Sequence, residues 1–301
     1  MAMVLLRHID DRFQADLWCQ ALDVEGIPHR LRTWEDSAYD GLFVLQRGYA
    51  SLYVEEADLA RARQLDQGLM GQVVPQLDDP AALARAIDHT LLDPGAGQEE
   101  LEEHLRQCLE MRAAAACLAP WMVPLAAPVL AGSQVALCAV VGFPLGTHTS
   151  ASKLAEALEL AELGAVELDV VINRGLVASG QAARAVQEVA AIARALPGCL
   201  IKVILESAVL GPEISQDLAR RFTGSGVGFL KTGSGYFGSA TVADVQMLLA
   251  AAQGLGVKAA GGIRDLDQAL ALLGAGAERL GTSHGHAIWR QAVQRWREPR
   301  D

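Results

Sequence analysis

Lysine is scarce in this sequence. Of 25 basic residues only four are lysine, at positions 153, 202, 231 and 258, and the rest are arginine. Arginine keeps its proton in proteins, whereas a buried lysine can lose its proton and act as a nucleophile or base. Lys202, Lys231 and Lys258 all lie within or at the end of apolar runs. We therefore interpret these three lysines as candidates for chemistry before any other residue.

Positive charge is also in deficit. The sequence has 36 acidic residues against its 25 basic ones, which gives a net charge of -11. Recognition of a phosphate backbone needs a basic surface, so we expect no nucleic-acid partner. An anionic ligand would instead need a local cradle of backbone N–H groups.

Cysteine pairs and long apolar runs are missing as well. The five cysteines are odd in number and never form a C-x-x-C pair, which predicts reduced thiols. Three prolines interrupt the most apolar region, 113–143, so a membrane span of about 18 residues is not expected. Arg7 and His8 end the first apolar run too early for an export signal. We therefore expect a cytoplasmic protein that has no membrane partner.

Residues 1–75 predict a small α+β domain of ferredoxin-like type, with the order β-α-β-β-α. Its expected elements are a strand at 3–6, a helix at 11–24, strands at 29–34 and 42–54, and a helix at 55–70. Phe13, Leu17, Trp18 and Leu22 share one side of the first helix, and Gly26 occupies its C-cap position. The domain resembles small prokaryotic domains described as signal-transducing, whose role is not established. Residues 76–84 are the expected linker.

Residues 85–301 alternate short apolar runs with alanine- and leucine-rich helical segments. The average step between the runs is about 27 residues, close to one βα unit when about 250 residues form eight units. The runs are almost continuously apolar, as parallel strands covered by helices must be. An α/β fold with a (β/α)8 TIM barrel is therefore predicted, and an open doubly wound sheet is the alternative. The eight candidate strands centre on Asp88, Cys117, Ala139, Asp169, Lys202, Phe229, Lys258 and Leu280.

Polar residues embedded in these strands are the candidate site. If Asp169 and the three strand lysines point inward, one carboxylate and three ammonium groups meet in one lumen. A purely structural ion-pair cluster would bury three cations against one or two carboxylates, which leaves charge uncompensated. A lysine that sheds its proton avoids this cost and can attack a carbonyl carbon. Alternation along the strand also places Glu206 on the face of Lys202.

Six short segments carry a more specific signal, and they follow one another between residue 85 and about residue 290. They are IDHTLL at 87–92, VGFPLG at 141–146, ELDVVIN at 167–173, KVILE at 202–206, KTGSG at 231–235 and GGIR at 261–264. Together they closely resemble the motifs of the deoxyribose-phosphate aldolase family. The resemblance implies a class I aldolase that cleaves 2-deoxy-D-ribose 5-phosphate into acetaldehyde and glyceraldehyde 3-phosphate.

The resemblance also implies residue roles. Lys231 takes the position of the Schiff-base lysine, Asp169 and Lys258 relay protons, and Lys202 and Asp88 support them. Because a protonated imine is itself the electron sink, no metal or organic cofactor is expected. The expected partner is a small phosphorylated sugar, and a homo-oligomer is a further expectation. The residues expected to hold the substrate phosphate are Gly235, Gly261, Gly262, Gly281, Ser283 and His284.

Three departures from the family motifs stand out. The usual Lys-Thr-Ser-Thr-Gly loop reads KTGSG here, with Gly233 in place of serine. The usual Gly-Thr-Ser-Ser reads GTSH, so His284 replaces a hydroxyl at the phosphate end. The lysine strand ends Glu-Ser-Ala where the family often has Glu-Thr-Gly. A related Schiff-base lyase with a different donor or acceptor therefore remains an alternative.

Some residues of the sequence admit other interpretations. Residues 233–238 match G-x-G-x-x-G, but no carboxylate follows about 20 residues later to hold a ribose, so a nicotinamide site is disfavoured. His284 and His286 are too few for an open metal site, and a solvated loop is preferred. Cys117 and Cys138 are predicted to be packing thiols. A non-catalytic ligand-sensing barrel regulated by the first domain is the main alternative of another class.

Overall fold

The structure is a computed structural model that describes residues 3–9, 12–33, 50–63, 65, 79–252 and 254–297. The chain divides into two compact units, Met1–Val74 and Pro75–Asp301, each of which is described by itself. Within the described residues, no helix is both long enough and apolar enough to cross a membrane.

The first unit contains a three-stranded antiparallel sheet with the order β1-β3-β2. Because β3 lies between the two strands that α1 connects, this is the split β-α-β arrangement of ferredoxin-like folds. The predicted small α+β domain is thus confirmed. Its elements are β1 (Met3–Ile9), α1 (Arg12–Val24), β2 (His29–Thr33), β3 (Ala50–Glu55) and a 3-10 turn (Glu56–Asp58).

Helix α1 packs on the sheet through one side and ends next to Gly26, the predicted C-cap residue. Trp18 and Leu22 are buried, and Gly26 has a φ of +63°. The N–H of Ile27 donates to Leu22 O at 2.8 Å, which closes the helix end. The side chains of Phe13 and Leu17, residues 34–49 of the predicted strands and residues 66–70 of the predicted helix lie outside the described residues.

The second unit is a closed barrel of eight parallel strands. β11 pairs with β4, so the sheet has no edge and the open doubly wound alternative is wrong. Each of the eight predicted strand centres falls within an observed strand. The strands are β4 (Ile87–Leu91), β5 (Ala115–Leu118), β6 (Ala136–Val141), β7 (Glu167–Val171), β8 (Leu200–Ile204), β9 (Phe229–Lys231), β10 (Gly256–Ala260) and β11 (Arg279–Thr282).

Helices surround the barrel. The first of them, α2 (Pro80–Ala84), begins inside the segment assigned to the linker, where Asp79 caps it by accepting from the N–H groups of Ala81 and Ala82. Leu83 is buried there, and residues 76–78 lie outside the described part. The others are α3 (Gln98–Met111), α4 (Val123–Leu130), α5 (Ser150–Glu162), α6 (Arg174–Ala178), α7 (Ala182–Ala195), α8 (Ser207–Leu210), α9 (Pro212–Phe222), α10 (Val242–Ala251), α11 (Leu266–Gly274) and α12 (Gly285–Arg297).

Candidate active site

Strand register brings the polar residues together inside the barrel. Asp169 on β7 pairs in register with Lys202 on β8, and Lys231 on β9 pairs with Lys258 on β10. The four side chains are at most 2% exposed. Asp169 Oδ2 accepts from Lys231 Nζ at 2.8 Å and from Lys258 Nζ at 2.7 Å, while Oδ1 accepts from Lys202 Nζ at 3.1 Å. Asp169 is therefore the hub that the three strand lysines share.

Asp88 forms the second hub of this cluster. Its Oδ2 lies 2.5 Å from Lys258 Nζ and 3.2 Å from Lys202 Nζ, both as ion pairs. Its Oδ1 accepts from Arg279 Nη1 at 2.5 Å. The structure thus brings Lys202 and Asp88 together with Asp169 and Lys258 in one ion-pair cluster.

Two further charged residues, Glu167 and Arg279, were missed by the sequence analysis. Glu167 Oε2 lies 2.5 Å from Lys202 Nζ, and its Oε1 accepts from Arg279 Nη2 at 3.2 Å. Glu167 lies two residues before Asp169, so alternation along β7 puts both on one face, and this signal could have identified Glu167. Arg279 pairs in register with Lys258, but one arginine among 21 carries no comparable signal.

The charge count of the cluster differs from the expected one. Asp88, Glu167 and Asp169 give three carboxylates, and the four bases that face them are Lys202, Lys231, Lys258 and Arg279. The expected count of one or two carboxylates was wrong. Three negative charges are balanced when one of the four bases is neutral. Counted over the described residues, Lys231 is the base with a single ion-pair partner. With a neutral amine at Lys231, the three carboxylates and the three remaining cations of the cluster balance.

Burial and ion pairing act on the protonation of the cluster in opposite directions. Burial alone would raise the pKa of Asp169, but Lys202, Lys231 and Lys258 outweigh it and hold this pKa well below the usual range. Burial alone would lower the pKa of Lys258, but Asp169 and Asp88 outweigh it and raise this pKa. The pKa of Lys202 is raised in the same way. Asp169 therefore stays ionised and both lysines stay charged at neutral pH.

A cleft of about 380 Å³ opens beside the cluster, at the carboxyl ends of β4, β9, β10 and β11. All six residues predicted to hold the phosphate line this cleft, and Arg264 and Tyr236 line it as well. The six are Gly235, Gly261, Gly262, Gly281, Ser283 and His284.

The cleft wall requires glycine at two neighbouring positions. Gly261 and Gly262 have φ angles of +109° and +71°, and a Cβ on them would lie 2.5 Å from Gly238 O and 2.3 Å from Ser239 Oγ. Backbone can therefore approach a ligand closely here. Within the described part of the chain, the N–H groups of Gly235, Gly262 and Ser283 have no hydrogen-bond acceptor. Free N–H groups around one concavity form a cradle for an anion.

The second unit is similar to known proteins. The model of the DeoC/LacD family of aldolases matches residues 82–291. The chain belongs to the DeoC/LacD aldolase family. A curated deoxyribose-phosphate aldolase from Microcystis aeruginosa is 44% identical over 215 residues, which cover 71% of this chain and 95% of that protein. The one from Cyanothece sp. is 47% identical over 67% of this chain and 89% of its own length.

Solved structures give the same family. The aldolase QR15 matches with a TM-score of 0.68 and 34% identity, and covers 71% of this chain and 96% of its own. The deoxyribose phosphate aldolase from Aeropyrum pernix, described as a tetramer, matches with a TM-score of 0.70 and 32% identity over 75% of this chain and 97% of its own. The TIM-barrel prediction is thus confirmed, and the DeoC/LacD match lies wholly within the second unit.

Two cysteines of this DeoC/LacD barrel do more than the predicted packing. Cys117 and Cys138 belong to a buried cluster with Ala115 and Val140, as expected of packing thiols. However, Cys138 Sγ also lies 3.4 Å from Asp169 Oδ1, and Cys117 Sγ lies 3.9 Å from Asp169 Oδ2. In-register pairing of the two strands places both sulfur atoms beside the central carboxylate. Their position beside Asp169 could not be read from sequence.

The two histidines considered as metal ligands do not come together. His284 lines the cleft, where its N–H donates to Thr282 Oγ1 and its Nδ1 lies 3.2 Å from Ser283 Oγ. His286 instead contacts Glu110 at 3.3 Å and stacks on Trp289. Of these two histidines, His284 lines the cleft and His286 does not.

Glu206 also departs from the sequence expectation. Strand β8 ends at Ile204, and Glu206 adopts a left-handed conformation with a φ of +61° instead of continuing the alternation. Its carboxyl group turns towards the loop after Lys231, where Oε1 accepts from the N–H of Ser234 at 2.9 Å.

Proposed function

We propose that this chain is a Schiff-base aldolase that reversibly cleaves 2-deoxy-D-ribose 5-phosphate into acetaldehyde and D-glyceraldehyde 3-phosphate. One observation carries the proposal: inside a DeoC/LacD barrel, Lys231 and Lys258 both contact the same carboxylate oxygen of Asp169. The curated relatives named deoxyribose-phosphate aldolase match along nearly their whole length, which supports the choice of substrate.

The first half of the reaction forms the imine. The neutral amine of Lys231 attacks the aldehyde carbon C1 of the open-chain sugar, and the resulting carbinolamine loses water to give a protonated imine. The leaving hydroxyl must gain a proton during this step. Asp169 lies within hydrogen-bond distance of both Lys231 and Lys258, so it can pass protons between the reacting nitrogen and the ammonium.

The second half breaks the carbon–carbon bond. The C3 hydroxyl loses its proton, the C2–C3 bond breaks, and the electron pair of that bond moves onto the iminium to form an enamine. Glyceraldehyde 3-phosphate leaves with C3 as its aldehyde carbon. Protonation of the enamine at its terminal carbon and addition of water then release acetaldehyde and restore the Lys231 amine. Asp169 and Lys258 are the proposed proton relay for these transfers.

The phosphate is assigned to the glycine-lined cleft. Its N–H donors at Gly235, Gly262 and Ser283 carry partial positive charge without a counter-ion, and Arg264 adds a cation at the same cleft. This local cradle allows an anion to bind to a chain whose net charge is -11. His284 contributes a ring nitrogen in place of the family's second hydroxyl.

The decisive experiment is borohydride trapping with deoxyribose 5-phosphate, followed by peptide mapping. Because the sequence has only four lysines, the labelled residue can be assigned without ambiguity. We expect the label on Lys231 and none on Lys153, which is equally buried but pairs with Glu188 outside the cluster. Lys231→Arg should abolish both the label and turnover, since a guanidinium forms no imine. A label on Lys202 or Lys153 would contradict the assignment.

The same experiment separates the alternatives. Trapping with another aldehyde or ketone, but not with deoxyribose 5-phosphate, would indicate a related lyase with a different donor. Ligand binding without trapping would indicate a sensing barrel. The tetramer described for the Aeropyrum pernix relative makes a homo-oligomer the expectation for this chain too, which sedimentation would test.

A further inference from the structure

We propose that Glu206 is a positioning residue for phosphate recognition, which it serves by fixing the backbone of residues 233–235 at the cleft. This inference rests on the proposed function. Glu206 does not line the cleft and takes no part in the cluster of charged residues around Asp169. Its side chain acts on the loop that carries Gly235 into the cleft.

The first observation is the strained backbone of Glu206. A residue with a side chain at φ +61° and ψ +54° occupies the left-handed region, which favours glycine. Such strain persists where the surrounding structure fixes it, and it is found most often at functional sites. Here it is fixed from both sides, because Leu205 N–H donates to Lys231 O at 3.0 Å and Ser207 N–H donates to Thr232 O at 2.8 Å.

The second observation concerns the surroundings of the Glu206 carboxyl group. Glu206 is 1% exposed, and no cation within the described residues forms an ion pair with it. The carboxyl group accepts a hydrogen bond from Ser234 N–H, which lies 2.9 Å from Oε1. A buried carboxyl group that serves a backbone amide fixes the direction of that amide.

The third observation shows that the loop is shaped around this carboxyl group. A Cβ at Gly233 would lie 3.2 Å from Glu206 Oε2, which is tighter than ordinary contact. Tyr236 N–H donates to Ser234 Oγ at 3.2 Å. The amides on either side of Gly235 therefore have partners within the chain. The N–H of Gly235 between them remains free for a ligand.

It follows that the two ends of one loop have different roles, one in imine formation and one in phosphate binding. Lys231 begins the loop and supplies the amine, while Glu206 sets the orientation of the amides that follow. Loss of the carboxyl group would free Ser234 N–H and allow Gly235 to turn, which weakens the contact with an anion. The imine chemistry at Lys231 does not depend on that contact. Glu206 should therefore affect KM for a phosphorylated substrate far more than turnover of an unphosphorylated one.

The test compares Glu206→Gly with Glu206→Gln. Glycine adopts the left-handed backbone without strain, so this variant removes the side chain with its carboxyl group and keeps the turn accessible. We expect its KM for deoxyribose 5-phosphate to rise about tenfold or more, the usual effect of losing a hydrogen bond to a charged group. Glutamine keeps an oxygen acceptor and should stay within about threefold of the wild type. Glu213→Ala, on the exposed first turn of α9, is the control and should change nothing.

Unphosphorylated deoxyribose distinguishes a role in phosphate recognition from a merely structural role. A structural defect would lower kcat/KM for both sugars, whereas a phosphate-specific defect would spare the unphosphorylated one. We expect kcat/KM for this sugar to be unchanged in Glu206→Gly. An equal loss for both sugars, no loss for either, or a variant that does not fold would overturn the inference. If the wild type itself shows no borohydride trapping with deoxyribose 5-phosphate, the proposed function fails instead. The two failures are thus distinguishable.

Discussion

The unequal ion pairing of Lys231 and Lys258 leads to a prediction about stability. The two lysines face each other in register, both are buried, and both contact Asp169 Oδ2, at 2.8 and 2.7 Å. Lys258 has a second partner in Asp88 at 2.5 Å, and Lys231 has none within the described residues. We therefore expect Lys258→Met and Lys231→Met to abolish activity alike but to destabilise the fold very differently.

The magnitudes follow from what each substitution leaves behind. Lys231→Met leaves three carboxylates facing three cations, and Asp169 keeps Lys202 and Lys258, so the loss should be about 1 kcal/mol, one hydrogen bond. Lys258→Met leaves Asp88 Oδ2 with Lys202 alone at 3.2 Å. Removing one partner from a buried ion pair costs about 3–5 kcal/mol. The difference corresponds to roughly 5–10 °C in Tm for a domain of this size.

Thermal unfolding at neutral pH, followed by circular dichroism, measures this difference. Lys153→Met is the matched control, because it removes a buried lysine from Glu188 outside the cluster and should cost about as much as Lys258→Met. Equal Tm values for Lys231→Met and Lys258→Met would refute the charge count. A larger loss for Lys231→Met would show that the amine, rather than Lys258, is the essential counter-charge of Asp169.

Other predictions concern pH, the relay, the cleft and the first unit. Burial and the nearby charge of His89 lower the pKa of His104 from 6.5 to about 3, so stability should fall as pH drops from about 6.5 towards 3, and His104→Gln should flatten that part of an unfolding curve. Asp169→Asn should lower turnover by about 10² with the fold retained, and near-wild-type kinetics would exclude the relay. His284→Ala should raise KM for deoxyribose 5-phosphate by up to about tenfold and leave unphosphorylated deoxyribose unaffected; equal effects would place its role elsewhere. A chain that starts at Pro75 keeps the Asp79 cap of α2 and should fold and retain activity, whereas an insoluble or inactive product would show that the first unit is needed.

Much of the barrel could be predicted from sequence because its signals are local. A parallel strand covered by helices is apolar on both faces, so each strand appears as a short apolar run whatever its neighbours are. A lysine inside such a run is visible at once, since the rest of the chain uses arginine for positive charge. The same reasoning identified Asp88 and Asp169. The cleft glycines came from the family resemblance rather than from periodicity.

The rest depended on the register between strands and on local backbone geometry. Arg279 meets Asp88 across 191 residues and Glu167 across 112, so neither contact leaves a trace in a local pattern. The position of Cys138 beside Asp169 depends equally on how β6 pairs with β7.

Glu206 is the clearest case. Alternation assumes that a strand continues, and β8 stops two residues before it. Only the hydrogen bonds of Leu205 and Ser207 to the next strand's end force the left-handed turn that aims the carboxyl group at Ser234. The sequence alone determined which residue types enter the barrel. The closure and register of the sheet decided how their charges balance, because ion pairs depend on distances of a few ångströms between residues far apart in the chain.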